Sequence, residues 1–337
     1  MAKRIGKRTI ILENRPYIIG YGSVVGKKEF EGPLGNEFDA HSDDSRFGQE
    51  SYEKAESMLQ KIALETAMRK ANVNENDIDM IFAGDLLNQC IGSYFGLRSK
   101  GVPLIGLYGA CSTMTLGLSL ASIMIDSGAA NIASAVTSSH FCSAERQYRF
   151  PLEYGAVRPQ TAQWTVTGSG ATILSKQRQD GKPYINAVCF GEIEDLGITD
   201  TNNMGAAMAP SAASTVKHFL NDTKTTLNDY DLLITGDLGK VGTDLLYELL
   251  EGEGIDARCR HTDCGLIIFD RENQDVHSGG SGCGCSASVL NSFVMHRLES
   301  GDFKNILFMS TGALMSPTSS LQGETIPGIS HLVNIKI

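Results

Sequence analysis

The feature that most restricts what this chain can fold into is that it repeats itself. The segment Asp77-Ile-Asp-Met-Ile-Phe-Ala-Gly-Asp-Leu86 is echoed by Asp229-Tyr-Asp-Leu-Leu-Ile-Thr-Gly-Asp-Leu238. Each copy reads as an acidic turn feeding a buried apolar strand, which stops at Gly-Asp where glycine permits a sharp exit. A second echo follows each copy. Gly109-Ala-Cys-Ser112 opens a helix-like run ending at Ser127-Gly128, and Gly282-Cys-Gly-Cys-Ser286 opens another ending at Ser300-Gly301. Strands follow both runs, at Asn131 to Thr137 and at Asn305 to Ser310. Strand, helix, strand with glycines at the helix ends is a parallel βαβ plan, here used twice. The spacing predicts an α/β protein of two similar halves, residues 1–200 and 201–337.

The remaining segments fit that plan. Ser51 to Lys70 places Ala55, Met58, Leu59, Ile62, Ala63 and Ala67 on one face of an amphipathic helix, and Ala206 to Leu220 and Val241 to Leu250 read as helices of the second half. Trp164 to Ser175 and Tyr184 to Ile193 are β-rich and could close the first sheet. Phe141 to Gln163 mixes charge, proline and aromatics, which predicts a long loop. Val102 to Ile125 holds no charge, but Pro103 and its glycines, serines and threonines split it into a strand and a small-residue helix rather than a membrane span.

Charge narrows the function. Lys plus Arg number 29 and Asp plus Glu 39, a net of −10, which leaves little to track a phosphate backbone, so no nucleic-acid partner is expected. The start of the chain is basic, yet its apolar stretch runs only from Ile10 to Leu12, too short for an export signal. The eight cysteines are therefore expected to be reduced, most of them small buried apolar groups. Cys259, His261, Cys264, His277, Cys283 and Cys285 gather late in the chain, but their spacings make no two C-x-x-C hooks, and the repeat pairs Cys285 with Cys111, so no metal is expected. Thr167-Gly-Ser-Gly-Ala171 lacks the Lys-Ser/Thr ending of a phosphate loop and predicts a glycine strand near a pocket.

Cys111 is the most informative residue, since it lies between a buried strand and the start of a helix. The positive end of the helix dipole and its free N–H groups would lower a thiol's pKa or hold a carboxylate. The bland alternative is a small thiol filling the elbow. Ser138, Ser139 and His140 follow the carboxyl end of a parallel strand, where open α/β sheets bind ligands. Arg146 and Arg149 stand three residues apart, with the side chain that grips carboxylates bidentately.

The order Gly84-Asp-Leu, Gly109-Ala-Cys-Ser-Thr113, Ser138-Ser-His140, Thr167-Gly-Ser-Gly-Ala171 and then a second βαβ half resembles the thiolase superfamily, nearest its type III ketoacyl synthases. That resemblance implies a layered α-β-α-β-α core, an acylated cysteine at Cys111, and a histidine and an asparagine from the second half. This chain has Gly236-Asp237 where that histidine belongs, and Ser278 to Cys285 offers no asparagine. More narrowly, Glu31-Gly-Pro-Leu-Gly35, Gly84-Asp-Leu-Leu-Asn-Gln89, Ala144-Glu-Arg-Gln-Tyr-Arg149, Asp195-Leu-Gly-Ile-Thr-Asp200, Met204-Gly-Ala-Ala-Met-Ala-Pro210 and Gly279-Gly-Ser-Gly-Cys-Gly-Cys-Ser-Ala287 resemble the stage V sporulation protein AD family.

The family resemblance implies binding of dipicolinic acid, pyridine-2,6-dicarboxylate, and its movement with calcium into developing spores. It also implies a peripheral place on the spore inner membrane beside other stage V sporulation A membrane proteins, and a homodimer. The residues expected at the ligand are Cys111, Ser112, Ser139, His140, Arg146, Arg149 and Gly312, with no cofactor beyond calcium arriving with the ligand. The alternative is an acyltransferase using Cys111, with His140 or His261 as base.

Overall fold

The computed structural model describes residues 2–149 and 158–337, and in it the sequence repeat becomes a repeat of sheet topology. The first set of strands is β1 (Tyr17–Gly26), β2 (Met80–Gly84), β3 (Leu104–Leu107), β4 (Ile132–Ser139) and β5 (Gly168–Ser175). The second is β6 (Tyr184–Phe190), β7 (Leu232–Thr235), β8 (His261–Asp263), β9 (Asn305–Ala313) and β10 (Gly328–Lys336). Their orders, β1-β5-β4-β2-β3 and β6-β10-β9-β7-β8, are the same. In both sets the fifth strand runs antiparallel to its two neighbours and the other pairs are parallel. The sets touch through the pair Tyr184–Tyr17.

The pattern turns over between Ser175 and Tyr184. Residues 184–190 therefore open the second sheet rather than close the first, and the division at residue 200 falls inside the second unit. Strand propensity is local and carries no record of the partner strand.

The helices of interest are α1 (Tyr52–Ala71), α2 (Thr113–Ser127), α3 (Phe141–Arg149), α4 (Met204–Thr223), α5 (Gly239–Glu251) and α6 (Cys283–Val289). Ser51 caps α1 by accepting the Lys54 N–H, and Asn72 ends it in the left-handed conformation. Leu59, Ala63, Leu64 and Ala67 of α1 then pack on Val24, Ile81 and Ile173 of the first sheet. On the opposite outer face, Met208, Ala212, Val216 and Phe219 of α4 pack on Leu307, Met309 and Leu332 of the second.

Between the sheets lie α2 and α6. Met114, Leu118 and Ile125 of α2 are fully enclosed among Phe82, Leu174, Phe308 and Val333, each burial contributing about 1.5–3 kcal/mol. The layers thus run α-β-α-β-α. The uncharged stretch is this central helix; the window Ala110–Ser127 is 67% buried. The glycines of Thr167 to Ala171 serve the same layer, because a Cβ at Gly170 would stand 2.1 Å from the Ala287 carbonyl oxygen of α6.

One expectation is corrected outright. The predicted loop from Phe141 opens as helix α3, whose inward stripe is Ala144 and Tyr148. A two-residue stripe at i, i+4 is too short to register against the neighbouring charges of Glu145, Arg146 and Arg149.

Candidate functional site

The site begins at the elbow between β3 and α2. Ala110 adopts φ +50°, a left-handed conformation unfavourable to a residue with a Cβ, and a 3-10 turn over Ala110–Ser112 leads into the helix. Ser112 Oγ donates to the Gly109 carbonyl (2.6 Å) and Thr113 Oγ1 to that of Ala110 (2.6 Å), which locks the turn. Gly312 of β9 backs it: a Cβ there would lie 2.9 Å from the Gly109 oxygen. Cys111 is thereby held at a small cavity, 7% exposed.

The partner of the thiol is Asp237, from the Gly-Asp turn after β7 that repeats Gly84-Asp85 after β2. Its carboxylate receives hydrogen bonds from Thr311 Oγ1 (2.8 Å) and the Gly282 N–H (2.9 Å), and it stands beside the Cys111 thiol. Asp263 braces the turn by accepting from Thr235 Oγ1 (2.6 Å) and the N–H groups of Leu238 and Gly239 (2.9 and 3.0 Å). Burial raises Asp237 to about 7 despite those donors. Burial first, and then the Asp237 charge, push the Cys111 thiol well above the ordinary thiol range. Sulfur therefore keeps its proton at neutral pH.

The cavity has a volume of about 40 Å³, room for a few waters. Its walls are Leu86, Ala110, Ala144, Tyr148, Met204 and Met315, with Glu145 and Thr165 as polar members. The start of α6 closes the floor: Gly282 sits at φ +100°, and a Cβ there would strike Ser139 Oγ at 2.6 Å. Cys283, not Cys285, joins Cys111 here, clustering with Leu86 and Ala144 and donating its thiol to the Ser138 carbonyl (2.9 Å). Cys285, the residue paired with Cys111 in the sequence repeat, lies instead in the central core.

The expected ligand residues separate. Cys111, Ser112 and Gly312 meet at the elbow. Ser139 is buried beneath it, donating to the Val166 carbonyl (2.6 Å) and accepting the Gly284 N–H (3.1 Å). His140 faces a different cavity of about 530 Å³ beside Lys28, Glu29 and Trp164, and its Nε2 lies 2.7 Å from the Ser45 carbonyl. Arg146 is ion-paired with Glu53 on the far side of α3, because two residues' separation from Ala144 turns it off the inward face. The side chain of Arg149 lies outside the described residues. His261 is held between Thr235 and Tyr247, and burial lowers it to about 3. Among the described residues no group of three or more His, Cys, Asp or Glu is placed to hold a metal.

Behind the cavity lies a polar layer absent from the sequence reading. Glu56 of α1 accepts from Ser138 Oγ (3.2 Å) and from Ser143 Oγ of α3 (2.7 Å). Asp85 accepts from the Ser93 hydroxyl (2.6 Å), and Gln60 donates to the Gly84 carbonyl (3.0 Å) and to Ser93 and Ser138 (2.8 and 2.9 Å). Burial raises both carboxyls. This layer ties α3 to the outer helix. Its one legible signal was the repeated Gly-Asp, which puts a buried acid after β2 and after β7 alike.

Comparison with known proteins agrees with this architecture. A family model described as Stage V sporulation protein AD (SpoVAD) matches residues 6–336. Stage V sporulation protein AD of Bacillus subtilis (strain 168) is 43% identical over 329 residues, covering 98% of this chain and 96% of that protein. Cerulenin-bound OleA of Xanthomonas campestris matches 97% of this chain and 100% of its own, with a TM-score of 0.62 at 15% identity. The 3-oxoacyl-[acyl-carrier-protein] synthase III of Aquifex aeolicus VF5 matches 96% of this chain and 100% of its own, with a TM-score of 0.58 at 15% identity. Those two likenesses establish a thiolase-like fold. From the family match along nearly its whole length, the chain belongs to the stage V sporulation protein AD family.

Proposed function

We propose that this chain binds dipicolinic acid without turning it over, for uptake with calcium into developing spores as part of a complex on the spore inner membrane with other stage V sporulation A proteins. Family membership supports the setting. The observation that carries the non-catalytic reading is that the thiol of Cys111 is buried beside the enclosed carboxyl of Asp237. Acyl transfer needs a thiolate, and hence a base able to remove the proton and leave an attractive charge behind. The charge of a carboxylate beside the sulfur disfavours the thiolate, and His140 and His261 are bonded elsewhere, to Ser45 and to Thr235 and Tyr247.

A small aromatic dicarboxylate suits walls that are apolar on most sides, and Met204 and Met315 can adapt their shape to it. A ligand of this size requires the cavity to widen, and Ala144, Glu145 and Tyr148 of α3 form one of its walls. Glu145 and Asp237 repel a bare dianion, so the ligand is best received with its calcium. Calorimetry with dipicolinate is expected to give saturable heat, with tighter binding when calcium is present. Glu145→Gln should strengthen binding of the calcium-free dianion, while Arg146→Ala should leave it unchanged. Absence of saturable heat with and without calcium would refute the proposal. A covalent adduct after incubation with acyl-CoA, lost in Cys111→Ala, would instead establish the acyltransferase.

The reading includes a homodimer. Strand β3 ends the first sheet with one side unpaired, and Ile105, Tyr94, Phe95 and Tyr108 on or beside it are 37–53% exposed. An open edge carrying such side chains invites a second strand. The double variant Ile105→Lys, Tyr108→Lys is expected to sediment as a monomer where the native chain sediments as a dimer. A native chain that is monomeric at high micromolar concentration would count against this pairing.

A further inference from the structure

The chain is acidic overall, but its opening strands are not. Between residues 3 and 15 stand Lys3, Arg4, Lys7, Arg8 and Arg15 against the single acid Glu13. The strands Lys3–Ile5 and Thr9–Ile11 form a hairpin on which Lys3, Arg4 and Lys7 are exposed. The hairpin is rigidly mounted. Thr9–Ile11 pairs antiparallel with Ala187–Cys189 of β6, and the turn rests on Asp222 of α4. That carboxylate accepts the N–H groups of Lys7, Arg8 and Thr9 at 3.1, 3.1 and 3.2 Å. Gly6 is required there, at φ +56° with no room for a Cβ against Asp222.

Asp222 is thus engaged by backbone, and the Arg8 side chain by Glu192. Lys224, just past the end of α4, adds a further exposed cation two residues from Asp222. Lys3 interacts electrostatically with Glu13, while Arg4, Lys7 and Lys224 form no ion pair among the described residues. None of the exposed large apolar side chains belongs to the hairpin.

We propose that this basic hairpin, with Lys224, is an electrostatic docking surface for anionic phospholipid headgroups. Protein interfaces concentrate their energy in buried aromatic and arginine anchors seated in pockets. A hairpin of exposed cations without an exposed large apolar side chain reads charge density alone, which is what a lipid surface offers. The acids on the rest of the chain do not cancel it. At physiological salt charges beyond about 8 Å are screened, so only the face at the membrane contributes. The proposal is independent of what the Cys111 cavity binds.

The test is cosedimentation of the full chain with vesicles of phosphatidylglycerol and phosphatidylcholine, against vesicles of phosphatidylcholine alone. Each juxtamembrane cation is worth about fivefold in partition, so the K3Q/R4Q/K7Q variant should partition about a hundredfold less well onto the anionic vesicles. Its melting temperature should be unchanged, since these side chains are exposed. Binding of the native chain should vanish in high salt and on neutral vesicles. Equal partition of native and variant chains overturns the proposal, as does equal binding to both vesicle types. So does hairpin-dependent capture of an acidic polypeptide such as polyglutamate with no binding to vesicles.

Discussion

Replacing Asp237 by asparagine is expected to speed alkylation of Cys111 by iodoacetamide at least about tenfold at pH 8, the change that one unit in thiol pKa produces. Asparagine has the same shape. Its oxygen can keep the Gly282 N–H, and its amide can donate to Thr311, so the elbow stays in place. What disappears is a negative charge beside the sulfur, the second cause, after burial, of the thiol's raised pKa. Peptide mapping by mass spectrometry reads the result, with the exposed Cys259 as an internal reference for reagent and pH. In the native chain Cys111 should lag far behind Cys259. Should native Cys111 be labelled as fast as Cys259, the carboxylate is not suppressing the thiol and the argument against acyl transfer fails. If the variant also forms an adduct with acyl-CoA that the native chain does not, Asp237 alone separates this site from a reactive one.

That contrast shows what the sequence could and could not reveal. The elbow was legible, because Gly109-Ala-Cys-Ser112 follows a buried strand and precedes a glycine-bounded helix, all of it local pattern. Gly236-Asp237 was visible as the place of a missing histidine. Its new role was not, because the approach of residue 237 to residue 111 depends on how two halves pack face to face, which no local periodicity encodes. Cys283 was hidden by the repeat itself: matching Ser112 with Ser286 makes Cys285 the partner of Cys111, yet it is Cys283 that packs with Cys111, Leu86 and Ala144. Arg146 shows the reverse error. Its chemistry suits a carboxylate, but once the predicted loop is a helix its direction is fixed by geometry, toward Glu53. Glu56 and Gln60 were missed because polar residues on an amphipathic helix are ordinarily assigned to its wet face, whereas here both are fully buried.

Those buried acids carry the last expectation, a loss of stability as pH rises from 6.5 to 8.5. Asp237 and Glu29 are fully enclosed, and burial raises each to about 7, while Glu56 and Asp85 are raised as well. In the unfolded chain these carboxyls ionise near pH 4. The native state therefore holds protons that the unfolded state has released, and stability present below pH 4 is lost until pH passes the native values. Buried histidines act with the opposite sign: His261 and His331 are lowered to about 3 and 4, so below pH 6.5 the unfolded chain binds protons the native chain refuses. The two groups oppose each other in acid; above pH 6.5 the native histidines are already neutral and the unfolded ones release their last half proton, which returns only about 0.4 kcal/mol each, so the acids prevail. From pH 6.5 to 8.5 Asp237 and Glu29 should each remove about 1 kcal/mol, which together lowers the melting temperature by about 2–3 °C. Calorimetric scans of the native chain and of the double variant Asp237→Asn, Glu29→Gln check this, the variant showing a flatter profile over that interval. A native melting temperature that rises toward pH 8.5 would mean that these carboxyls are ionised in the folded protein. Asp237 would then carry its full charge across this interval, and burial together with that charge would keep the proton on Cys111.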